Sequence, residues 1–248
     1  NCLEFARKKK AQLIFLSSSR IYPIEPMNDA KYEEKDTRYQ WIDNQEISGV
    51  SGSGISENFP LVGYRSFYGA TKLASELLID EYAQYYDLET IINRCGVITG
   101  PWQMAKVDQG FVALWLLKHY YCGTLTYNGY NGLGKQLRDV LHIDDLSDLI
   151  DIQIHEFESY NREIFNVGGG VENTISLMEL TGMCEDITAN SISIEPEEER
   201  DADLRIYYTN NDKIMSKSNW RPERDIRQIL KDIYSWVVEY ENILQSYS

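Results

Sequence analysis

The sequence of 248 residues has few of the features that mark several large classes of protein. It contains three histidines and four cysteines, and the cysteines lie far apart, without a C-x-x-C pair, at Cys2, Cys95, Cys122 and Cys184. That spacing disfavours disulfides and structural zinc, so no metal is expected and a reducing compartment fits. No apolar run approaches the roughly 18 residues of a membrane span, and no signal peptide opens the chain. The sequence predicts a soluble, cytoplasmic globular protein.

Positive charge is also scarce. The 24 lysines and arginines face 39 aspartates and glutamates, which gives a formal charge of −15. Nucleic-acid binding depends on clustered basic side chains, so neither a nucleic acid nor a membrane is expected as a partner. The one basic run, Arg7 to Lys10, is interpreted as the solvated end of a helix. With 43% hydrophobic residues, the chain can build the core of one large domain or two small ones.

Short apolar runs alternate with helical patterns along the chain. Strands are predicted at 11–16, 88–95, 138–143, 163–167 and 206–209. Helices are predicted at 66–86, 109–121, 144–157 with Asp144 as N-cap, 176–189 with a capping box from Ser176 and Glu179, and 225–244. Residues 23–63 combine prolines, glycines and charges without a clear period, and predict an irregular surface segment, while 96–107 predicts a loop. The alternation predicts an α/β protein with a mostly parallel sheet, whose ligands bind at the carboxyl ends of the strands.

Two sets of polar residues are candidates for chemistry at those strand ends. Ser17, Ser18 and Ser19 directly follow the first strand, while Tyr68 and Lys72 share one face of the helix because they are four residues apart. An ammonium beside a phenol stabilises the phenolate and so lowers the pKa of a tyrosine from about 10. Such a tyrosine can take a proton from a substrate hydroxyl while the same carbon loses a hydride. A Tyr–Lys pair at this spacing also occurs by chance, and the serine cluster is what favours catalysis.

Three blocks, SSSRIY at 17–22, YGATK at 68–72 and NRCGVITGP at 93–101, resemble the extended short-chain dehydrogenase/reductase family of NAD-dependent nucleotide-sugar epimerases and dehydratases. Residues 100–110 and 134–142 are similar to its CDP-paratose (CDP-tyvelose) 2-epimerase branch. The resemblance implies a partial Rossmann-like, doubly wound parallel sheet that lacks its amino-terminal strands, beside a smaller α/β substrate-binding region. By this resemblance residues 1–98 and 138–168 belong to the NAD-binding domain, and residues 99–137 and 169–248 to the substrate-binding domain.

The same resemblance implies a role for individual residues. Tyr68 would be the catalytic base, Lys72 would hold the nicotinamide ribose, and Ser18 would be the catalytic serine, three residues before Ile21. The implied cofactor contacts are Ser17, Tyr68, Lys72 and Arg94. The implied substrate contacts are Ser19, Gln103, Lys106, Gln109, Arg138, Asn166 and Arg200, with both arginines on the substrate diphosphate. For each arginine, an exposed salt-bridging role is the alternative.

Residues that follow the catalytic serine separate the reactions of the family. Its dehydratases carry an Asp-Glu pair there and its decarboxylases a Glu, whereas this chain has Ser19 and Arg20. The resemblance therefore implies an epimerase, which passes a hydride to NAD and returns it to the other face of a keto-sugar. A CDP-sugar substrate and a homodimer are expected. The alternatives are a 4-epimerase or keto-sugar reductase of the same superfamily, or a non-catalytic fragment, which the complete set of Ser18, Tyr68 and Lys72 disfavours.

A Gly-rich turn between a first strand and a helix, which a dinucleotide site needs, is not found in the sequence. The clusters Gly49 to Gly54 and Gly129 to Gly134 lack that context and are interpreted as turns, the second also as a candidate substrate loop. Family chains would carry three strand–helix units, on the order of 100 residues, ahead of Ala11. The expectation is an amino-terminally truncated sequence, or one half of a split protein, that binds NAD poorly alone.

Overall fold

The computed structural model describes residues 1–105, 109–198 and 203–244. The strands are β1 (Leu13–Ser18), β2 (Tyr32–Glu34), β3 (Tyr39–Trp41), β4 (Val50–Ser51), β5 (Gly54–Ile55), β6 (Thr90–Cys95), β7 (Val97–Thr99), β8 (Leu125–Asn128), β9 (Leu137–His142), β10 (Glu163–Val167), β11 (Thr174–Ser176), β12 (Ile194–Glu197) and β13 (Ile206–Tyr207). The helices are α1 (Cys2–Lys9), α2 (Ile24–Asp29), α3 (Phe67–Tyr86), α4 (Phe111–Tyr120), α5 (Ile143–His155), α6 (Phe157–Tyr160), α7 (Leu177–Thr188), α8 (Asp212–Lys217), α9 (Ile226–Glu239) and α10 (Glu241–Leu244). Short 3-10 turns lie at Ser19–Ile21, Tyr130–Gly132 and Val171–Asn173.

Three parallel strands form the sheet that carries the candidate site. The fully buried β6 lies in the middle and pairs with β1 on one side and β10 on the other. The register places Ser17 beside Arg94, and Arg94 beside Asn166. Since the three strands run in the same direction, their carboxyl ends meet at one edge, and the prediction of a parallel α/β sheet is confirmed.

A second sheet is built around β9, which pairs in parallel with β7 and β13 and antiparallel with β11. The strand β7 lies inside the segment predicted as a loop at 96–107, so that part of the prediction is wrong. The helix after β9 begins one residue earlier than expected. Its N-cap is His142, whose Nδ1 accepts the backbone N–H of Asp144 at 3.0 Å, so Asp144 is inside the helix instead of capping it.

Residues 23–63 contain only short elements, as an irregular segment would, but the prediction that they lie on the surface is wrong for their apolar side chains. They form α2 and two antiparallel hairpins, β2–β3 and β4–β5. Trp41, Ile55 and Phe59 are at most 2% exposed and belong to a core shared with Tyr207 and Tyr208. Strands of two or three residues are too short to show a period, and their apolar residues gather only in three dimensions.

An apolar layer is formed by α4, α7 and α9 against β8 and β9. Its members with no exposed surface include Leu116, Leu180, Ile229, Leu230 and Ile233. The predicted capping box at the start of α7 is confirmed by hydrogen bonds in both directions between Ser176 and Glu179. The predicted final helix is interrupted at Tyr240, between α9 and α10. Within the described residues, no helix combines the length and the apolar character that crossing a bilayer requires.

Candidate functional site

The first turn of α3 lies directly against the 3-10 turn that follows β1. A Cβ on Gly69 would be 2.0 Å from the carbonyl oxygen of Arg20, so a side chain there would force the two elements apart. Ser66 caps the helix by accepting the backbone N–H of Gly69 at 3.2 Å. Arg65 donates to the carbonyl oxygen of Ile21 at 2.6 Å. These contacts fix the start of the helix beside the end of the strand.

The predicted catalytic side chains lie around this junction. Lys72 Nζ donates to the carbonyl oxygen of Leu16 at 2.8 Å and lies 5.9 Å from the ring centre of Tyr68, which is 54% exposed. Ser18 is buried at the end of β1, and its Oγ accepts the N–H of Arg20 at 3.1 Å, which leaves the hydroxyl proton for another acceptor. The structure brings these residues to one edge of the sheet, and their catalytic roles stay predictions.

A buried ion pair lies one turn further along α3. Arg94 Nη2 is 2.8 Å from Glu76 Oε2, and the two side chains are 5% and 4% exposed. The hydroxyl of Ser17 also donates to Glu76. The side chains of Ser17 and Arg94 are therefore engaged inside the protein, and their contact with the cofactor stays a prediction. The register places both residues side by side beneath the helix.

The same polar network continues into β10. Tyr22 accepts a hydrogen bond from Arg94 Nη1 at 3.2 Å and donates to Asn166 Oδ1 at 2.7 Å. Asn166 Nδ2 donates to the carbonyl oxygen of Ile55 at 2.9 Å, and the residue has no exposed surface. Burial raises the pKa of Tyr22 to about 12, so its phenol stays a neutral donor. Asn166 is therefore enclosed by protein groups, and its role as a substrate contact stays a prediction.

Arg138, predicted to hold the diphosphate, is bound to the segment around residue 204. Its Nη2 lies 3.2 Å from Asp203 Oδ1 and donates to the carbonyl oxygen of Leu204 at 2.5 Å. The side chain is 13% exposed, and burial lowers the pKa of the guanidinium. The guanidinium forms an ion pair, as the alternative reading of a salt-bridging arginine expected, but the pair is largely buried instead of exposed. The substrate role stays a prediction.

The other predicted substrate contacts are spread over three elements. Gln103 Nε2 donates to the carbonyl oxygen of Ile98 at 3.0 Å, and its Oε1 accepts a hydrogen bond from Thr99, so the amide is occupied internally. Gln109 is exposed, and Ser19 is half-buried in the first 3-10 turn. Lys106 and Arg200 lie outside the described residues.

Both glycine clusters are turns, as predicted. Gly52 lies between β4 and β5, and the 3-10 turn Tyr130–Gly132 follows β8 without leading into a helix. Neither cluster has the strand–turn–helix form that receives a pyrophosphate. Within residues 1–105, 109–198 and 203–244, no group of three or more His, Cys, Asp or Glu is placed to hold a metal ion.

Comparison with known proteins identifies the family of the chain. A model of the NAD dependent epimerase/dehydratase family matches residues 1–168. The chain belongs to this family. Among its relatives is a CDP-paratose 2-epimerase from Salmonella typhi, 28% identical over 244 residues, which are 95% of this chain and 68% of the relative. A UDP-glucuronate 4-epimerase from Thermodesulfobacterium geofontis is 26% identical over 179 residues, 72% of this chain and 52% of the relative.

Solved structures of the family show the same fold. A dTDP-glucose 4,6-dehydratase from Bacillus anthracis in complex with NAD has a TM-score of 0.76 at 21% identity, with 100% of this chain and 68% of that chain covered. A UDP-glucuronic acid 4-epimerase from Bacillus cereus, in complex with UDP-glucuronic acid and NAD, has a TM-score of 0.74 at 21% identity, with 96% and 65% covered. The predicted Rossmann-like class and the dependence of the family on NAD are confirmed. The chain spans between half and about two thirds of the length of these relatives.

Two residues of the site were not singled out from the sequence. Glu76 follows Lys72 at a helical spacing on the face that carries Tyr68, which was a signal for a carboxylate near the pair. Gly69, inside the Tyr68–Lys72 motif, was a signal for close approach, because glycine is unfavourable in the middle of a helix. The partner of each residue comes from a different strand or turn, and neither partner could be read from spacing.

Proposed function

We propose that this protein is an NAD-dependent nucleotide-sugar epimerase whose substrate is a CDP-sugar inverted at carbon 2. The observation that carries the reaction class is the junction at which Lys72, beside Tyr68, binds the carbonyl oxygen of Leu16 on β1, the strand that ends at Ser18. Ser19 and Arg20 stand where the dehydratases place their extra acids, which favours a reaction without elimination. The similarity to the Salmonella typhi CDP-paratose 2-epimerase, which is 28% identical and extends over 95% of this chain, supports the substrate class.

The residues of the junction divide the proton chemistry among them. NAD, when bound, would accept a hydride from the sugar carbon and return it to the other face of the ketone. The Tyr68 oxygen takes the proton of the sugar hydroxyl and later gives it back. The Lys72 ammonium, 5.9 Å from the Tyr68 ring centre, stabilises the phenolate. The hydroxyl of Ser18, whose own proton is available, donates to the same sugar oxygen.

The described residues fit part of the cofactor. Lys72 and the half-exposed Tyr68 lie at the carboxyl edge of the parallel sheet, where dinucleotides bind in such folds, and we propose that they hold the nicotinamide ribose. No strand–turn–helix with glycines for the pyrophosphate is found among the described residues. We propose residues 1–98 with 138–168 as the cofactor side, and residues 99–137 with 169–248 as the substrate side. The separate apolar layer of α4, α7 and α9 supports that division.

A homodimer in the cytoplasm completes the proposal. The solvent face of α3 exposes Phe67 by 95%, Leu78 by 56% and Tyr85 by 80%. Contiguous exposed apolar surface commonly marks a protein interface. Light scattering on the purified protein would give twice the monomer mass if this helix face pairs with a second copy, and the monomer mass would contradict the dimer.

The test of function uses the protein expressed from its complete reading frame. The purified protein is denatured, and released nicotinamide is measured by absorbance and mass. CDP-, UDP-, GDP- and dTDP-sugars are then assayed, and the inverted carbon is identified by NMR. Bound NAD and inversion of a CDP-sugar at carbon 2 are expected. A folded protein without nicotinamide or turnover would contradict the proposal and support the non-catalytic alternative.

A second candidate is a nucleotide-sugar 4-epimerase. The similarity to UDP-glucuronate 4-epimerase in sequence and in structure favours it, and its chemistry uses the same junction. The same assay separates the two functions, since inversion of a UDP-sugar at carbon 4 would replace inversion at carbon 2. A keto-sugar reductase would instead consume reduced cofactor stoichiometrically.

A further inference from the structure

The carboxylate of Glu76 is not paired with its neighbour on the helix. Glu76 follows Lys72 by four residues on α3, a spacing at which oppositely charged side chains attract each other. Arg94 binds it instead, with Nε 3.3 Å and 3.2 Å from the two carboxylate oxygens and Nη2 2.8 Å from one of them. Lys72 donates to the carbonyl oxygen of Leu16 at 2.8 Å. The lysine therefore lies beside the strand end and the phenol.

The burial of this pair is unusual for the protein. Both side chains are at most 5% exposed, and no other ion pair between described residues has two partners so deeply buried. Desolvation offsets most of the attraction in such a pair, so it contributes little net stability compared with apolar side chains of the same size. Stability alone does not explain why charges occupy this position.

We propose that Arg94 and Glu76 are positioning residues: Arg94 holds the Glu76 carboxylate away from Lys72, so that the Lys72 ammonium stays with the Tyr68 phenol. The inference rests on the proposed function, because it takes Tyr68 and Lys72 as the reacting pair. Without the guanidinium, the Glu76 carboxylate, one turn away on the same helix, would draw the ammonium toward it. The phenolate would then lose its stabilising charge.

Other titratable groups around Tyr68 and Lys72 do not compete for this role. They are Glu76 on α3 with its partner Arg94 on β6, and the Cys95 thiol, which interacts electrostatically with Lys72. Glu57 lies further along the same polar network, beside Asn166. Burial raises the pKa of the Cys95 thiol to about 12, so it is uncharged at neutral pH. Glu57 Oε1 accepts the backbone N–H of Asn166 at 2.6 Å. Glu76 is the one acidic residue three or four positions from Lys72 on α3, so it is the carboxylate that Lys72 would meet if Arg94 were lost.

The test compares three variants of the full-length protein by their pH–rate profiles: Arg94→Gln, Glu76→Gln and the double variant. Arg94→Gln should move the low-pH limb of the pH–rate profile to higher pH by about one unit, because the Tyr68 phenolate loses the Lys72 ammonium that stabilises it. Glu76→Gln should move the limb to lower pH, because an uncompensated guanidinium is added. The double variant should return the limb to the wild-type position. KM for the nucleotide sugar should change little in all three.

A purely structural role predicts another result. Each variant would then lose thermal stability and maximal rate, while the limb stayed at the wild-type pH, and that outcome would overturn the inference. If Arg94→Gln fails to fold, Glu76→Gln still decides, because only the proposal expects a shift to lower pH. The double variant has a local precedent in the buried amide pair of Asn93 and Gln153, with contacts of 2.7 and 3.0 Å.

The Tyr68→Phe variant separates failure of this inference from failure of the proposed function. If Tyr68→Phe is fully active, the proposed function itself is wrong. If Tyr68→Phe is inactive but the limbs of the other variants coincide with the wild type, only the positioning role is wrong.

Discussion

The junction beneath α3 and the layer of α4, α7 and α9 are both buried, but they are built from opposite chemistry. The junction contains an ion pair, hydroxyls and an amide, whereas the layer is packed from side chains such as Leu116, Leu180 and Ile233. Apolar contacts are non-directional, but a buried charge is tolerated only with its partners in place. The difference teaches that this protein uses directional contacts where α3 must be held in one position, and apolar contacts where α4, α7 and α9 pack as a layer.

The largest expected difference between the two regions is in turnover. Tyr68→Phe removes one hydroxyl from a side chain that is 54% exposed, and turnover should fall by about 10²–10⁴-fold because the proton acceptor is lost. The melting temperature should stay close to that of the wild type. A steady-state assay with the active nucleotide sugar, alongside a thermal scan, checks both. Wild-type turnover in a folded Tyr68→Phe variant would contradict the proposal that this junction is the catalytic site.

Arg94→Gln and Leu230→Ala sharpen the comparison by disturbing each region to a similar extent. Leaving Glu76 charged and unpaired should cost about 3–5 kcal/mol of the free energy of unfolding. Truncating the fully buried Leu230 should cost about 2–5 kcal/mol through lost contacts and a cavity. Urea unfolding measures both free energies. Only Arg94→Gln should alter the pH dependence of turnover, and an equal change in Leu230→Ala would show that stability alone controls it.

Two glycines on helices provide a smaller, matched test. Gly69→Ala places a methyl group 2.0 Å from the carbonyl oxygen of Arg20, so the variant should lose about 1–3 kcal/mol and much of its turnover. Gly182 on α7 has no heavy atom of another residue within 4 Å of where a Cβ would lie, apart from its chain neighbours and its own helix, so Gly182→Ala should stabilise the helix by up to about 1 kcal/mol. The melting temperature should therefore fall in Gly69→Ala and rise in Gly182→Ala. Equal shifts in the two variants would contradict the close approach at Gly69.

The smallest expected effect concerns acid stability at the edge of the apolar layer. Burial raises the pKa of Glu179, but hydrogen bonds from Arg38, Thr37 and the backbone of Ser176 outweigh it, and the pKa is lowered overall from 4.5. A carboxyl with a lowered pKa in the folded state stabilises the fold above about pH 4.5, and that stability is lost as the pH falls further. Glu179→Gln should therefore be less stable to unfolding than the wild type at pH 7.

Measuring urea unfolding at several pH values checks this prediction. The unfolding free energies of the wild type and Glu179→Gln should converge as the medium becomes acidic. Because glutamine can also complete the capping box, a difference that stays constant at every pH would contradict a role for the carboxylate charge.

Much of the fold could be predicted from local patterns. The helix at 66–86, the strand at 163–167 and the capping box at Ser176 agree with the structure to within a residue. Residues 23–63 were not predicted correctly, because their buried side chains contact residues near 207 instead of each other in a regular period. The candidate site shows the same limit. Tyr68 and Lys72 could be paired from the sequence because they share a helix, whereas Arg94 and Asn166 bind partners on other elements, which the sequence did not indicate.

By itself the sequence determined the α/β alternation, the helix that carries the Tyr–Lys pair and the serines at a strand end, because each of these depends on neighbours a few residues away. Only the tertiary structure decided that Arg94 binds Glu76 and that Asn166 is enclosed by Tyr22 and Ile55. The physical reason is that a buried charge or amide takes whichever partner the packing of distant segments brings within hydrogen-bond distance, and strand register, not spacing along the chain, sets that partner.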